Sequence, residues 1–491
     1  MGVLPSRTAL SVCCVLLATL LAACGSRIDP NTVAGAAGTG ASGAGGAAVP
    51  GTATGPDGSV PAAGGGGAAT GGGSGAGTST AGGGSTASGS GGGSGDAPKG
   101  TGDNAATGGA KAGSCDGFKN QTGITDSTIT IGNASDISGP VPGLFESAPE
   151  AVRAYVAYFN ATTDLCGRKL ALASYDSRTD AAADQQAYVK GCDEAFAMIG
   201  SMSAFDSGGA STAQSCGLPD IRTAATTADR LACTTCFAAE AANSHEFQNA
   251  VPDFVLKGYG DAGQHAAMLY INAGAAAENG KSQAAAMEKR GMHFDYVQGI
   301  DISEFNYAPY VQQMKDKGVE YVQIIGSTAQ FTRLAEAMKQ QGFKPKVFMI
   351  DPTAYNPDFV SSGGDAVDGT TVFINFTPFE EAGSNKELQL YLSWLQQVKP
   401  GATPSFFGLF AWSAARLFVE QATKLGGKLS RSALVSSLQG VGDWTSNGMH
   451  APQPVGPKHA SPCWRFLQLQ SGTWTPVGGT KYRCSGTTTV G

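Results

Sequence analysis

The sequence predicts an α/β fold of parallel sheets covered by helices, preceded by a long disordered tether. From residue 115 onward, short apolar runs alternate with amphipathic helical patterns, which is typical of parallel strands joined by helices. Residues 25–113 are almost wholly Gly, Ala, Ser and Thr, so they have no side chains from which to build a core. The remaining residues 114–491 are enough for two lobes of ordinary size.

The first 24 residues have the pattern of an export signal. Arg7 supplies positive charge, and residues 9–23 form an apolar run that is too short to span a bilayer stably. The run ends in Leu21-Ala-Ala-Cys-Gly, which matches the cleavage box of bacterial lipoproteins. We therefore expect Cys24 to carry lipid and to anchor the mature chain to the membrane. An ordinary signal peptide with a chance cysteine is the alternative.

The segment 25–113 is predicted to behave as a flexible coil with an r.m.s. span of roughly 50 Å. Its expected role is a tether that lifts the folded part off the membrane. Because Ser and Thr are frequent in it, an adhesive or glycosylated stalk is the alternative.

The charge balance excludes one class of partner. The whole chain has a formal net charge of -7, so we expect no nucleic-acid surface. After Ala23 the apolar runs are all shorter than a membrane span, and we expect the folded part to be soluble.

Eight cysteines follow the signal region, and an even number in an exported chain indicates disulfide bonds. Spacing alone does not determine their connectivity. Neighbours in sequence favour the pairs Cys115 with Cys166, Cys192 with Cys216, Cys233 with Cys236, and Cys463 with Cys484. A redox role for the Cys233 pair is disfavoured, because it lies in a loop region and not between a strand and a helix start.

The first predicted elements are four strands with helices between them. The helix that Pro149 opens has Val152, Tyr155, Val156 and Phe159 on one face, which indicates one buried stripe. The predicted strands are 129–131, 170–175, 197–200 and 220–223, and the next helices are 181–194 and 209–216.

The same alternation resumes in the second half and ends in a hairpin. Predicted helices cover 257–265, 281–290, 307–317, 331–338, 386–398, 405–425 and 431–438. Predicted strands cover 268–272, 294–300, 321–325, 347–350 and 370–376. Residues 464–477 have Gln470-Ser-Gly between two strand-like runs, which indicates a hairpin.

Several stretches, taken in order, resemble the type I periplasmic binding proteins of the branched-chain amino acid uptake family over nearly all of residues 124–480. They are Ile129-Thr-Ile-Gly with Ser138-Gly-Pro, Cys166-Gly-Arg-Lys-Leu, Ile199-Gly-Ser-Met-Ser-Ala, Pro219-Asp-Ile-Arg-Thr-Ala-Ala-Thr, and Ser405-Phe-Phe-Gly-Leu-Phe-Ala-Trp-Ser-Ala-Ala-Arg-Leu.

The resemblance implies two doubly wound parallel-sheet lobes joined by three hinge crossovers. The crossovers are expected near 249–252, 376–379 and 439–444. Residues 114–250 with 378–438 would form the first lobe, and residues 251–377 with 439–491 the second.

The resemblance also implies a ligand site at the carboxyl ends of the strands, in a cleft between the lobes. In this family, hydroxyls and amides of two first-lobe loops hold the ligand's carboxylate, and those loops align with Ser203, Ala204, Ala224 and Thr226. The alternative is that Ser203 and Thr226 only cap helices.

The second lobe departs from the family's pattern. The family has an acidic residue for the ligand's ammonium group after the strand that ends here at Ile350, but the aligned residue is Thr353, and Asp351 lies two residues earlier. Asp351 is equally suited to a turn. The aromatic residue that the family has after strand 268–272 is replaced by the small residues 273–277.

Two aromatic residues, Phe205 and Tyr355, are candidates to wall an apolar part of the ligand. An aromatic side chain near a strand end is also a common core residue, and this alternative stays open for both.

The sequence shows no catalytic apparatus. Residues 274–282 resemble a phosphate-binding loop but have five residues between the glycines where that motif has four. The five histidines, at 245, 265, 293, 450 and 459, lack the paired spacing of metal ligands, and a Gly-x-Ser-x-Gly nucleophile motif is missing. We therefore predict a protein that is not an enzyme and uses no cofactor and no metal.

These observations predict a monomeric, extracytoplasmic, lipid-anchored solute-binding protein. It would capture an amino acid or a related small carboxylate or amide by hinge closure and deliver it to the permease and ATPase subunits of an ABC transporter. A ligand-sensing subunit of a signalling system is one alternative, and a surface protein that uses the scaffold without a ligand is another.

Overall fold

The computed structural model describes residues 111–491, which fold around two sheets. The predicted lipidation site at Cys24 and nearly all of the predicted tether lie outside the described residues. The first part of this region alternates five strands with four helices. The strands are β1 Thr128–Ser135, β2 Lys169–Asp176, β3 Ala197–Ile199, β4 Asp220–Ala224 and β5 Cys236–Glu240. The helices are α1 Ser147–Thr162, α2 Ala181–Glu194, α3 Ala210–Ser215 and α4 Ala228–Ala232.

These five strands form one parallel sheet in the order β2-β1-β3-β4-β5. The first four strands are where the apolar runs predicted them. Strand β5 and helix α4 were missed, because Cys-Phe-Ala-Ala-Glu contains no branched aliphatic residue and so carries little strand signal. Every residue of β5 is nevertheless buried, since it pairs along β4.

The second sheet begins after a short strand and a helix. The elements in order are β6 Glu246–Gln248, α5 Ala250–Gly258, β7 Ala266–Ile271, α6 Gly274–Lys289, β8 Phe294–Ile300, α7 Ala308–Asp316, β9 Tyr321–Ile325, α8 Thr328–Gln340, β10 Val347–Ile350, α9 Pro357–Gly363 and β11 Thr371–Ile374. The helix predicted over 257–265 was wrong. Pro252 is tolerated in the first turn of α5, which ends at Gly258, and only a short 3-10 turn, Gly260–Gln264, follows.

The chain then returns to the first sheet as three helices, α10 Lys386–Val398, α11 Phe406–Leu425 and α12 Arg431–Gln439. Helix α11 is buried from Phe406 to Thr423, as its nearly continuous apolar sequence requires. Its Trp412 is fully buried and packs edge-on against Tyr155 of α1, with ring centroids 4.8 Å apart. This pairing fixes α11 against the helix that precedes β2.

The last elements are four strands: β12 Cys463–Gln470, β13 Thr473–Val477, β14 Arg483–Cys484 and β15 Thr487–Thr489. Strands β12 and β13 form the predicted antiparallel hairpin. The second sheet has the order β13-β12-β11-β10-β9-β7-β8, parallel from β11 to β8, while β14 pairs with β12 and β15 pairs with β6.

The chain passes between the two sheets three times: after β5, after β11 and after α12. The predicted fold class, two parallel-sheet lobes of an α/β protein, is confirmed. The lobe boundaries given by residue number stay predictions. Within residues 111–491, none of the helices has the length and apolar character that crossing a membrane requires.

All four predicted disulfides are present. Three lie in the part of the chain that forms the first sheet: Cys115–Cys166, Cys192–Cys216 and Cys233–Cys236. The fourth, Cys463–Cys484, joins β12 to β14 beside the second sheet. Each bond therefore links segments of the same lobe.

Candidate ligand-binding cleft

A cavity of about 230 Å³ lies between the two lobes. The first lobe reaches it with the ends of β4 and β5, and the second lobe with the ends of β9 and β10. The carboxyl ends of parallel strands leave loops free to contact a ligand, and both sheets present those ends to this cavity. The location is therefore that of a ligand site in an open α/β sheet.

Most of the wall is apolar. The first lobe contributes Phe145 and Phe205, the second lobe contributes Ile271 and Trp464, and helix α11 contributes Phe406 and Phe407. Among the described residues, no Lys or Arg side chain lines the cavity. A ligand that fills this space would bury an apolar body, and burial of apolar surface contributes about 25 cal/mol per Å².

Six of the eight residues predicted for the site line this cavity: Ala204, Phe205, Ala224, Thr226, Asp351 and Thr353. The strand ends bring them together from both lobes. Their contact with a ligand stays a prediction.

The other two predicted residues, Ser203 and Tyr355, do not line the cavity. Ser203 is fully buried, and its hydroxyl accepts a hydrogen bond from the backbone amide of Phe205 at 3.2 Å. Tyr355 is buried among aromatic side chains, donates its hydroxyl hydrogen to Glu380 and accepts the amide of Phe379 at 2.8 Å. Both side chains support neighbouring backbone, and their contact with a ligand stays an untested prediction.

Two of the predicted backbone donors of the first lobe already have partners. The amide of Ala204 donates to Asp136 at 2.8 Å, and the amide of Thr226 donates to Asp206 at 2.9 Å. The hydroxyl oxygen of Thr226 is buried and has no hydrogen-bond partner. The hydroxyl of Thr226 is thus one donor of these two loops that the protein itself leaves without a partner.

Two carboxyl groups face the cavity from opposite lobes. Glu240 ends β5, and burial raises its pKa to about 7, although Asn375 donates to it at 3.3 Å. The negative charge of Asp351 raises the pKa of Glu240 further. Burial also raises the pKa of Asp351 to about 6, against the hydrogen bonds that Thr353 donates. The sequence prediction missed Glu240 because it missed the strand that carries it.

A buried ionic network lies behind the first-lobe loops. Arg222 is 3.7 Å from Asp206 and 3.6 Å from Asp220, and all three side chains are fully buried. Arg230 pairs with Asp220 at 2.9 Å and with Asp184 at 3.1 Å. Asp206 also accepts a hydrogen bond from the backbone amide of Thr226, which lines the cavity. The network therefore connects the sheet to the cavity wall.

Hydrogen bonds join the two lobes at one side of the cleft. Three bonds join helix α6 of the second lobe to the first-lobe loops: the amide of Ala275 donates to the carbonyl of Ala204, the amide of Ala228 to Glu278, and the side chain of Asn279 to the carbonyl of Thr226, each at 2.8 Å. The small residues 273–277, which replace the family's aromatic residue, allow this close approach.

Replacing Gly274 by alanine is expected to open the cleft. A Cβ atom at Gly274, whose φ is +50°, would lie 2.3 Å from the carbonyl oxygen of Ala204. Small-angle X-ray scattering should therefore give a larger radius of gyration for this variant than for the wild type. The matched control is Gly342→Ala, because Gly342 has a φ of +62° but no atom within 4 Å of the added methyl. Equal radii for all three proteins would contradict the expectation.

The sequence profile of one family, described as periplasmic binding protein, matches residues 128–473. This chain belongs to the periplasmic binding protein family. The family is non-enzymatic and extracytoplasmic, in agreement with the prediction that the protein is not an enzyme. No curated protein sequence matches this binding protein at a significant level.

Solved structures share the fold of this binding protein at low sequence identity. A leucine-binding protein from Thermotoga maritima is 14% identical, with a TM-score of 0.62 over 71% of this chain and 97% of that chain. A fatty acid ABC transporter substrate-binding protein from Thermomonospora curvata is 18% identical, with a TM-score of 0.64 over 75% and 96%. An ABC transporter solute-binding protein from R. palustris, in complex with 4-hydroxybenzoate, is 17% identical, with a TM-score of 0.59 over 73% and 98%.

Proposed function

We propose that this protein captures a small, largely apolar molecule between its lobes by hinge closure and delivers it to the permease of an ABC transporter. The observation that supports this proposal best is the interlobe cavity, walled by Phe145, Phe205, Phe406 and Trp464 and bordered at one side by hydrogen bonds between the lobes. A ligand that contacts both lobes stabilises the closed state in proportion to its preference for that state.

The similar structures support the transport role. These proteins are described as binding leucine, a fatty acid and 4-hydroxybenzoate, and each of these molecules combines an apolar body with a polar head. The sequence predicted an amino acid or a related small carboxylate or amide for this chain. Ala204, Phe205, Ala224, Thr226, Asp351 and Thr353 are the proposed ligand contacts from that prediction.

The proposal places the protein at the outer face of the cell membrane. Cys24 would carry the lipid, residues 25–113 would tether the lobes to it, and the chain would act as a monomer. The lobes are proposed to comprise 114–250 with 378–438, and 251–377 with 439–491.

A thermal-shift screen of the full chain tests the binding function. The panel comprises amino acids, fatty acids, aromatic acids, amines and amides. At a concentration one hundred times its Kd, a ligand that binds only the folded state stabilises it by about 2.7 kcal/mol, so at least one compound is expected to raise Tm by several degrees. Ala276→Phe, which places a ring in the cavity, should abolish that shift. A panel without any shift would refute the binding function.

A further inference from the structure

We propose that the ligand of this cleft is an apolar amine that carries no carboxylate, and that its ammonium group lies between the carboxylates of Glu240 and Asp351. This inference rests on the proposed function and narrows its ligand class. It differs from the amino acid or carboxylate that the sequence resemblance predicted, and the difference comes from the charges and hydrogen bonds of the cavity wall.

The cavity wall contains acidic side chains and no basic ones among the described residues. Three carboxyl groups line it, Glu240, Glu246 and Asp351, whereas no Lys or Arg side chain among the described residues does. Glu246 already has partners, since the ring of His459 lies 2.7 Å from one of its oxygens and the amide of Ala460 donates to the other at 3.0 Å. Glu240 and Asp351 are therefore the carboxyl groups with capacity for a ligand.

Each of these two carboxyl groups has a single neighbouring residue as its hydrogen-bond donor: Asn375 for Glu240, and Thr353 for Asp351. An ionised carboxylate in apolar surroundings is unstable unless a positive charge and hydrogen bonds compensate for the lost water. The raised pKa values of both groups, about 7 and about 6, reflect this. A ligand ammonium supplies both the charge and up to three donors.

The two carboxyl groups come from different lobes. Glu240 is the last residue of β5 in the first sheet, and Asp351 directly follows β10 in the second. A single ammonium group between them contacts both lobes at once. Such a ligand binds the closed state better than the open state, which is the condition for closure by a ligand.

The first-lobe loops offer little to a carboxylate. The amides of Ala204 and Thr226 are bonded to the protein's own carboxylates, Asp136 and Asp206. A ligand carboxylate at this wall would lose its water and lie close to the carboxyl groups of Glu240 and Asp351. Two backbone amides that could bind an amino acid's carboxylate are thus already bonded to carboxylates of the protein.

Matched ligand sets test the head group separately from the apolar body. One set is isopentylamine, leucine and isocaproate, and the other is phenethylamine, phenylalanine and hydrocinnamate. Calorimetric titration of the full chain at pH 8 is expected to show, in at least one set, an amine that binds at least tenfold more tightly than the other two members. The inference is overturned if neither amine binds, or if the amino acid or the acid binds as tightly as its amine.

Substitution of Glu240 and Asp351 tests where the ammonium group binds. Glu240→Gln and Asp351→Asn keep the side-chain shape, so each should weaken amine binding at least tenfold while circular dichroism shows an unchanged fold. The matched control is Glu420→Gln, because burial raises the pKa of Glu420 to about 7 as well, but this residue does not line the cavity. Unchanged amine affinity in both cavity variants, or an equal loss in the control, would overturn the assignment.

The outcome separates this inference from the proposed function. If a fatty acid or an aromatic acid raises Tm in the solute screen and the amines do not, the binding function stands and the amine assignment fails. If no compound of any head group raises Tm, both fail.

Discussion

Replacing Asp206 by alanine is expected to lower the free energy of unfolding by about 3–5 kcal/mol, because the change removes one of the two counter-charges of a buried arginine and the acceptor of two buried hydrogen bonds. Arg222, 3.7 Å away, would lose a counter-charge in a site without solvent. The amide of Thr226 and the hydroxyl of Thr227, at 2.9 and 2.6 Å, would also lose their acceptor. The backbone at Thr226, which forms part of the cavity wall, would then lose the hydrogen bond that positions it.

Urea denaturation measures this effect. The control is Asp365→Ala, whose side chain is 97% exposed and whose removal should change the free energy of unfolding by less than about 0.5 kcal/mol. A second variant, Asp206→Asn, keeps the shape and removes the charge, so it separates the ionic contribution from the hydrogen bonds. A loss for Asp206→Ala as small as that of the control would show that the network does not stabilise the fold.

The wild type is expected to lose stability relative to Glu240→Gln as the pH rises from about 4.5 to about 8, by about 3 kcal/mol at most. Burial raises the pKa of Glu240 from 4.5 to about 7 in the folded state. In this interval the unfolded chain ionises first, so stability that is fully present below pH 4.5 is lost as the pH passes through 7. Glutamine does not titrate and shows no such loss.

Urea unfolding of both proteins at several pH values tests this expectation. The charged and titratable groups in the same wall, Asp351 and Glu246 with His459, are common to both proteins, so their contributions largely cancel in the difference. The amide of Asn375 faces residue 240 in both proteins. Two stability curves that run parallel from pH 4.5 to 8 would show that residue 240 ionises as easily in the folded chain as in the unfolded one.

Local sequence patterns predicted the alternation of strands and helices well, because strand and helix periodicity is visible in the chain itself. Strands β1 to β4, the hairpin at Ser471 and Gly472 and all four disulfides agree with the structure. Strand β5 was missed because its alanines carry no strand preference, and its pairing with β4 depends on residues that the local pattern does not include.

The sequence predicted where the candidate site lies but not which hydrogen bonds its residues make. The loops after β3, β4 and β10 follow from the order of the strands, and six predicted residues line the cavity there. The partners of those residues were not predictable. Asp136 accepts the amide of Ala204, and Asp206 accepts the amide of Thr226. The partners in these bonds lie up to 68 residues apart in sequence, so no local motif reveals them.

The disulfides stabilise each half of the protein separately. Since each of the four bonds between described cysteines, such as Cys192–Cys216 and Cys463–Cys484, connects parts of one half only, the disulfides place no restriction on the relative rotation of the halves. The disulfides constrain the unfolded state of each half, and none of them would have to break if the halves rotated. Reducing agents should consequently weaken the individual halves without altering how far they swing apart.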